Sequence, residues 1–131
     1  TEAFNETELN QIPFVTVTAD KNPIYDTQTG DDTQDQVFLL SVTEAEKYLG
    51  GDAYQCLPTA YAVEQGAYGS DKVSINDSAI CWWWLRTPGY EGDFAAVCDD
   101  GPIGSGDSFS NYGNVVSYVG NCVRPALWIN V

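Results

Sequence analysis

The chain has 131 residues, 44% of them hydrophobic and 13% aromatic, which is enough apolar material for one core and too little chain for two. With 19 acidic against 5 basic residues the formal net charge is −14, a field that repels phosphate backbones and argues against nucleic acid as a partner. No apolar run approaches the roughly eighteen residues that a membrane-spanning helix needs, so membrane insertion is not expected.

The first predicted element is a short helix. Asn5 stands at a capping position with Glu8 three residues on, and Phe4, Leu9 and Ile12 supply an apolar side. Val15 and Val17 alternate with threonines as in a strand, and the polar, Gly- and Pro-punctuated stretch that follows reads as a long loop. Residues 37–41, VFLLS, form a continuous apolar run expected to be a buried strand. A second helix is expected from Thr43 as N-cap, with Glu46 at the box position and Gly50 and Gly51 as the stop. Pro58 opens a third helix that ends at Gly66, and residues 68–77 read as polar loop.

Residues 81–89, CWWWLRTPG, then place three tryptophans side by side. Alternation in a strand sends Trp82 and Trp84 to one face and Trp83 to the other, so the segment is buried on both sides or forms a binding platform. Strands are expected at 94–98, 114–119 and 122–131, with a Gly-rich bend after the first. Helices early and strands late imply a single α+β domain over residues 1–131.

Several kinds of chemistry are disfavoured. There is no histidine, which removes Ser-His-Asp and Cys-His nucleophile pairs and every histidine zinc site. The adjacent carboxylates Asp31–Asp32 and Asp99–Asp100 are what chance produces in so acidic a chain. The stretch CDDGPIGSGD gathers Asp99, Asp100 and Asp107 among glycines but lacks the spacing and terminal glutamate of a calcium loop, and reads as a solvated turn. No cofactor and no metal are expected. The glycosylation tripeptides at Asn5 and Asn76 carry no weight without a eukaryotic secretory context. No signal peptide is visible; the first residue, Thr1, points to a processed product, a trimmed chain or part of a longer polypeptide.

The four cysteines, Cys56, Cys81, Cys98 and Cys122, are too widely spaced for a CxxC pair. They allow two disulfides in three connectivities, or serve as small buried hydrophobes. From Asp99 to Cys122, 17 of 24 positions are Gly, Ser, Asn, Asp or Tyr. This palette is that of antibody loops, where tyrosine gives rigid contact area and small polar residues adapt, and it is equally that of ordinary turns. Tyr90, Phe94, Phe109, Tyr112 and Tyr118 are the natural anchors of such a surface. Asp93, Asn111 and Asn114 bring carboxylate and amide groups beside them, as a glycan would require.

The ordered blocks VFLLSVTEAEKYL, CLPTAYAVEQGAY, CWWWLRTPG, FAAVCDDG and VRPALWINV, spanning about Phe4 to Val131, resemble an uncharacterised bacterial and phage domain family marked by a WWLRSPG segment and a GVRPAL ending. That family is similar to the C-type-lectin fold group, which includes formylglycine-generating enzymes and the variable proteins of diversity-generating retroelements. The resemblance implies a C-type-lectin-like fold with a small, mainly antiparallel sheet and long loops. It also implies core roles for Trp82 and Trp84, with Trp83 on the opposite face or at the rim, and Arg86 and Arg124 fixing loop carbonyls and carboxylates. Family members carry a further N-terminal portion, and glycine where Cys122 stands; Cys98–Cys122 and Cys56–Cys81 are the disulfide pairs this comparison suggests.

Three functions follow from these expectations. The first is a non-catalytic recognition domain, extracellular, at a cell surface or on a phage particle, binding protein or glycan through residues 90–118. The second is a structural subunit of an extracellular filament or surface assembly, completed by self-association or by an N-terminal partner segment. The third is an oxidase of the formylglycine-generating type, whose closely spaced copper-holding cysteine pair is missing here, the last two cysteines lying 24 positions apart.

Overall fold

The computed structural model describes residues 4–100 and 109–131. It is an α+β arrangement of short helices and small antiparallel sheets. In chain order the elements are α1 (Glu6–Leu9), β1 (Val15–Val17), β2 (Thr33–Asp35), α2 (Val42–Tyr48), α3 (Ala60–Glu64), β3 (Gly69–Ile75), β4 (Ser78–Cys81), β5 (Trp83–Pro88), β6 (Phe94–Cys98), α4 (Phe109–Tyr112) and β7 (Asn114–Val115). β1 pairs with β2 and β3 with β4, while β5, β6 and β7 form a three-stranded sheet with β6 in the middle. The Gly-rich bend and Asp107 lie outside the described residues.

Local chemistry accounts for the helix starts. Asn5 and Glu8 exchange capping bonds at α1, with Asn5 N–H donating to Glu8 at 2.8 Å and Glu8 N–H to Asn5 Oδ1 at 3.0 Å. At α2 two overlapping boxes compete, Ser41 with Glu44 and Thr43 with Glu46, and the structure uses the first. The reason is tertiary. Val42 N–H donates to Thr87 Oγ1 on β5 at 3.0 Å, and Glu44 also receives Arg86, so only this frame docks the helix start onto the sheet. α3 begins two residues later than expected from Pro58, because Thr59 is the N-cap, its Oγ1 accepting from Ala62 N–H at 3.1 Å.

Residues 69–81, whose first part reads as loop, are instead a hairpin. Asn76 and Asp77 both have positive φ, at 48° and 64°, the geometry a two-residue turn between twisted strands demands. The expected strand at 37–41 is reduced to a single bridge, Phe38 with Ala126. The one at 122–131 is likewise reduced to bridges, since Pro125 has no N–H to continue a ladder. Of the strand expected at 114–119 only Asn114–Val115 pairs.

The core lies between α2 and the sheet: Val42, Ala45, Tyr54, Trp83, Leu85, Ala96 and Cys98, with Leu40, Leu49, Cys56 and Cys122 packed against it. β5 alternates in burial, with Trp83, Leu85 and Thr87 inward. This reverses the expected placement of the tryptophans: Trp83 is 1% exposed, whereas Trp82 and Trp84 are only half-buried. Strand parity explains it. Trp82, Trp84 and Arg86 share a face, and turning the indoles inward would have carried a guanidinium into the apolar core.

Candidate functional site

Beyond the end of β5 the chain turns at Gly89 into residues 90–93 and returns along β6. Gly89 N–H donates to Phe94 O at 2.7 Å and Phe94 N–H to Glu91 O at 3.0 Å, closing the turn. A side chain at Gly89 would collide with Tyr112 O and, at 2.6 Å, with Phe94 Cβ. Gly113 is equally constrained. Its φ is +80°, and a Cβ there would run into Ala95 O. These two glycines let α4 lie directly against the turn, and Tyr90 N–H bonds Tyr112 O at 3.0 Å across the contact.

Among the described residues, four aromatic rings meet there. Tyr90 and Tyr112 stack with centroids 4.0 Å apart and an interplanar angle of 10°. Phe94 stands edge-on to Tyr90 at 4.6 Å and to Tyr112 at 5.7 Å, and Tyr25 stands edge-on to both tyrosines at 6.2 Å. Tyr112 nevertheless remains 37% exposed. Hydrogen bonds with the Glu91 carboxylate and the Tyr112 hydroxyl, together with some desolvation, raise the Tyr90 hydroxyl well above the usual phenol range, so it stays protonated.

Asn22 holds the cluster from behind. Its Nδ2 donates to Pro88 O at 2.8 Å and Asn111 O at 2.7 Å, and its Oδ1 accepts from Ile24 N at 2.9 Å and Tyr25 N at 3.1 Å. Thr27 Oγ1 adds a bond to Gly89 O at 2.6 Å. One buried amide thus joins a loop early in the chain to two segments far along it, and it presents Tyr25 to the other rings. Asn22 and Thr27 were not among the expected site residues. The only sequence signal was the Asn-Pro dipeptide, a turn marker whose side chain bonds the backbone two and three residues on.

The other expected residues divide. Asn111 is buried, at 6% exposure, beneath the rings and not on the surface, and its Oδ1 has no hydrogen-bond partner among the described residues. Asp93 is exposed, and its backbone carbonyl receives Val116 N–H at 2.9 Å. Asn114 sits on β7 and donates to Asn121 at 3.3 Å. Tyr118 folds over Gly120, apart from the stacked pair, and is 41% exposed. Phe109 begins α4, but its side chain lies outside the described residues.

The two arginines bind backbone carbonyls elsewhere in the fold. Arg86 donates to Thr18 O at 3.0 Å, Leu39 O at 2.9 Å and Glu44 Oε1 at 3.0 Å, approaches Glu44 Oε2 more closely still, and reaches Asp20 at 3.3 Å. Partial burial works against the Asp20 carboxylate, but hydrogen bonds from Ser41 and Thr18 and the charge of Arg86 outweigh it and hold Asp20 below its usual pKa. Arg124 lies 5.1 Å over the Trp83 ring and donates to Ala53 O at 3.0 Å. Trp83 Nε1 donates to Tyr54 O at 3.0 Å, and Trp82 Nε1 to Asp100 at 2.9 Å.

All four cysteines are thiols. The pair Cys98–Cys122 is not brought together: β5 runs between them, Trp83 facing Cys98 on one edge and Cys122 on the other. Among the described residues no three His, Cys, Asp or Glu side chains converge as metal ligands, and no helix is long and apolar enough to cross a membrane.

Neither a curated protein nor a solved structure matches the chain. One family model does, over residues 1–131, and the chain accordingly belongs to the family described as Domain of unknown function (DUF6273).

Proposed function

We propose that this protein is a non-catalytic recognition domain of C-type-lectin-like fold, displayed outside the cell or on a phage particle, that grips a protein or glycan ligand with the surface formed by residues 90–118. One observation carries the reading: the Tyr90–Tyr112 stack is fixed by ring packing and backbone bonds yet leaves Tyr112 more than a third exposed. Rings ordered before binding spare the complex the entropy of ordering them, and tyrosine offers apolar area and a hydroxyl together. Exposed Glu91 and Asp93 border the stack with polar groups. The Gly, Ser, Asn and Tyr content of the neighbouring segment suits a surface whose specificity is varied on a constant frame.

The test is binding to an array of surface glycans and extracellular proteins. Tyr90→Ala and Tyr112→Ala should each weaken any captured ligand about tenfold, or about 1.4 kcal/mol, with the circular dichroism unchanged. Trp128→Ala, on a different part of the surface, should leave affinity alone. Unaltered affinity in Tyr112→Ala refutes the proposed surface.

A second reading, a subunit of a surface assembly, draws on the apolar flank around the last residues. Trp128, Ile129 and Val131 are exposed beside grooves lined by Phe38, Leu40 and Tyr48 on one side and Phe4 and Ile12 on the other. Sedimentation at increasing concentration separates the two, since a strict monomer has no use for that flank as a subunit contact.

A further inference from the structure

The four cysteines start from widely separated places in the sequence and end in one part of the core. Cys98 belongs to the buried cluster, and Cys56 and Cys122 pack against that cluster. Cys81 ends β4, where its N–H donates to Cys56 O at 2.8 Å. Cys122 N–H donates to Trp82 O, the next residue after Cys81, at 2.7 Å. The neighbouring Cys122 and Cys56 thiols both act on the Cys81 thiol. The Cys98 Sγ donates to Tyr54 O at 3.9 Å and feels the Cys56 thiol as well.

These placements discriminate among the pairings. Cys98 and Cys122 each face Trp83 from opposite edges of β5. Two interstrand steps put their Cα atoms about 9–10 Å apart, beyond the roughly 7 Å that a disulfide can bridge. The Cys81 backbone meets Cys56 directly and Cys122 through Trp82, which makes Cys81 the cysteine shared by these two pairings.

We propose that Cys81 and Cys122 form a disulfide when the protein meets an oxidising thiol–disulfide couple such as the glutathione pair, that Cys56 exchanges into the bond with Cys81, and that Cys98 remains a thiol. Cys122, like Cys56, is partly exposed whereas Cys81 is buried, so glutathione meets an outer thiol first, and the proposed bond starts at Cys122. Its thiolate attacks oxidised glutathione, forming a mixed disulfide and releasing one glutathione thiolate. The Cys81 thiolate then attacks the Cys122 sulfur and expels the second glutathione thiolate. Two protein thiols lose two electrons and two protons, and one glutathione disulfide becomes two glutathiones. Burial and the neighbouring thiols push the Cys81 thiol far up, which makes the second step slow at neutral pH and faster as pH rises. The bond closes residues 81–122 into one covalent loop that contains Tyr90, Phe94 and Tyr112, so it tethers the proposed recognition surface at its base.

The experiment is oxidation of the native protein in a glutathione redox buffer, alkylation of free thiols, digestion without reduction and mass mapping of linked peptides. The expected product joins Cys81 to Cys122, and its rate of formation climbs about tenfold per pH unit. Cys98→Ala should oxidise at the native rate. Cys122→Ala should yield a Cys56–Cys81 link, and Cys81→Ala should yield only glutathione adducts. A link containing Cys98, an intramolecular link in Cys81→Ala, or a native protein that keeps four thiols overturns the proposal. The native mapping needs no variant to fold.

Discussion

Replacing Arg86 by methionine keeps the aliphatic stem and deletes the charged fork, so its cost measures what the guanidinium contributes. The fork is mostly covered, with side-chain exposure of 14%, while its carboxylate partners Asp20 and Glu44 are about a third exposed, at 31% and 28%. Two backbone carbonyls, Thr18 O and Leu39 O, lose their donor at roughly 0.5–1 kcal/mol each for partly solvated groups. The two ion pairs contribute about 1 kcal/mol each once solvent screening is counted, below the 3–5 kcal/mol of a fully buried pair. The expected loss is therefore about 3 kcal/mol for Arg86→Met and about half that for Arg86→Lys, which keeps one charge contact but not the fork. Equilibrium urea unfolding followed by tryptophan fluorescence reads both, provided the m-value is unchanged. A cycle with Glu44→Gln, which keeps the capping oxygen, should give a coupling energy of about 1 kcal/mol. A loss under about 1 kcal/mol for methionine, or lysine indistinguishable from the native residue, refutes the view that Arg86 ties α2 and residues 18–20 to β5.

Trp83→Ala should cost about 3–5 kcal/mol in the same assay and Trp84→Ala distinctly less, because only the former empties a closed core position; equal losses would contradict the parity of β5. Gly113→Ala should destabilise by at least about 2 kcal/mol and disrupt the Tyr90–Tyr112 stack, since its Cβ has no room against Ala95 O and its φ is positive; near-ultraviolet circular dichroism of the tyrosines reports this, and a native spectrum would count against the packing. Asp20 has a depressed pKa in the folded state, so it stabilises the protein above its ordinary value of 3.8 and that contribution fades as pH falls below it. The stability difference between native protein and Asp20→Asn should be flat at neutral pH and shrink under acid; a difference growing under acid would reverse the sign.

What was legible in the sequence was short-range. Asn5 with Glu8 marked α1, because a capping box spans only three residues, and FAAVC marked β6, because a central strand is apolar on both faces. The position of Arg86 also carried the parity of the tryptophans, had it been set against them: one charged residue two places beyond Trp84 decides which indole can face the core. Competing local signals needed the rest of the molecule to resolve them. Ser41 displaced Thr43 as a cap because Thr87 and Arg86 were waiting on β5. A polar hairpin passed for a loop, since its strand pairs across a two-residue turn with few apolar residues to declare it.

The aromatic residues of the candidate site were visible as a composition, but not their arrangement. The stack exists because Asn22 bonds residues 66 and 89 positions away and because two glycines leave no space between backbones. The cysteine cluster is likewise invisible in spacing and appears only when β5 separates Cys98 from Cys122. Amino-acid order by itself determined the class of the domain, its acidity, the absence of histidine chemistry and the caps and strands that satisfy neighbouring backbone groups. Tertiary structure alone decided which ring faces which and which thiol meets which, because those contacts join segments whose proximity no local hydrogen-bonding rule encodes.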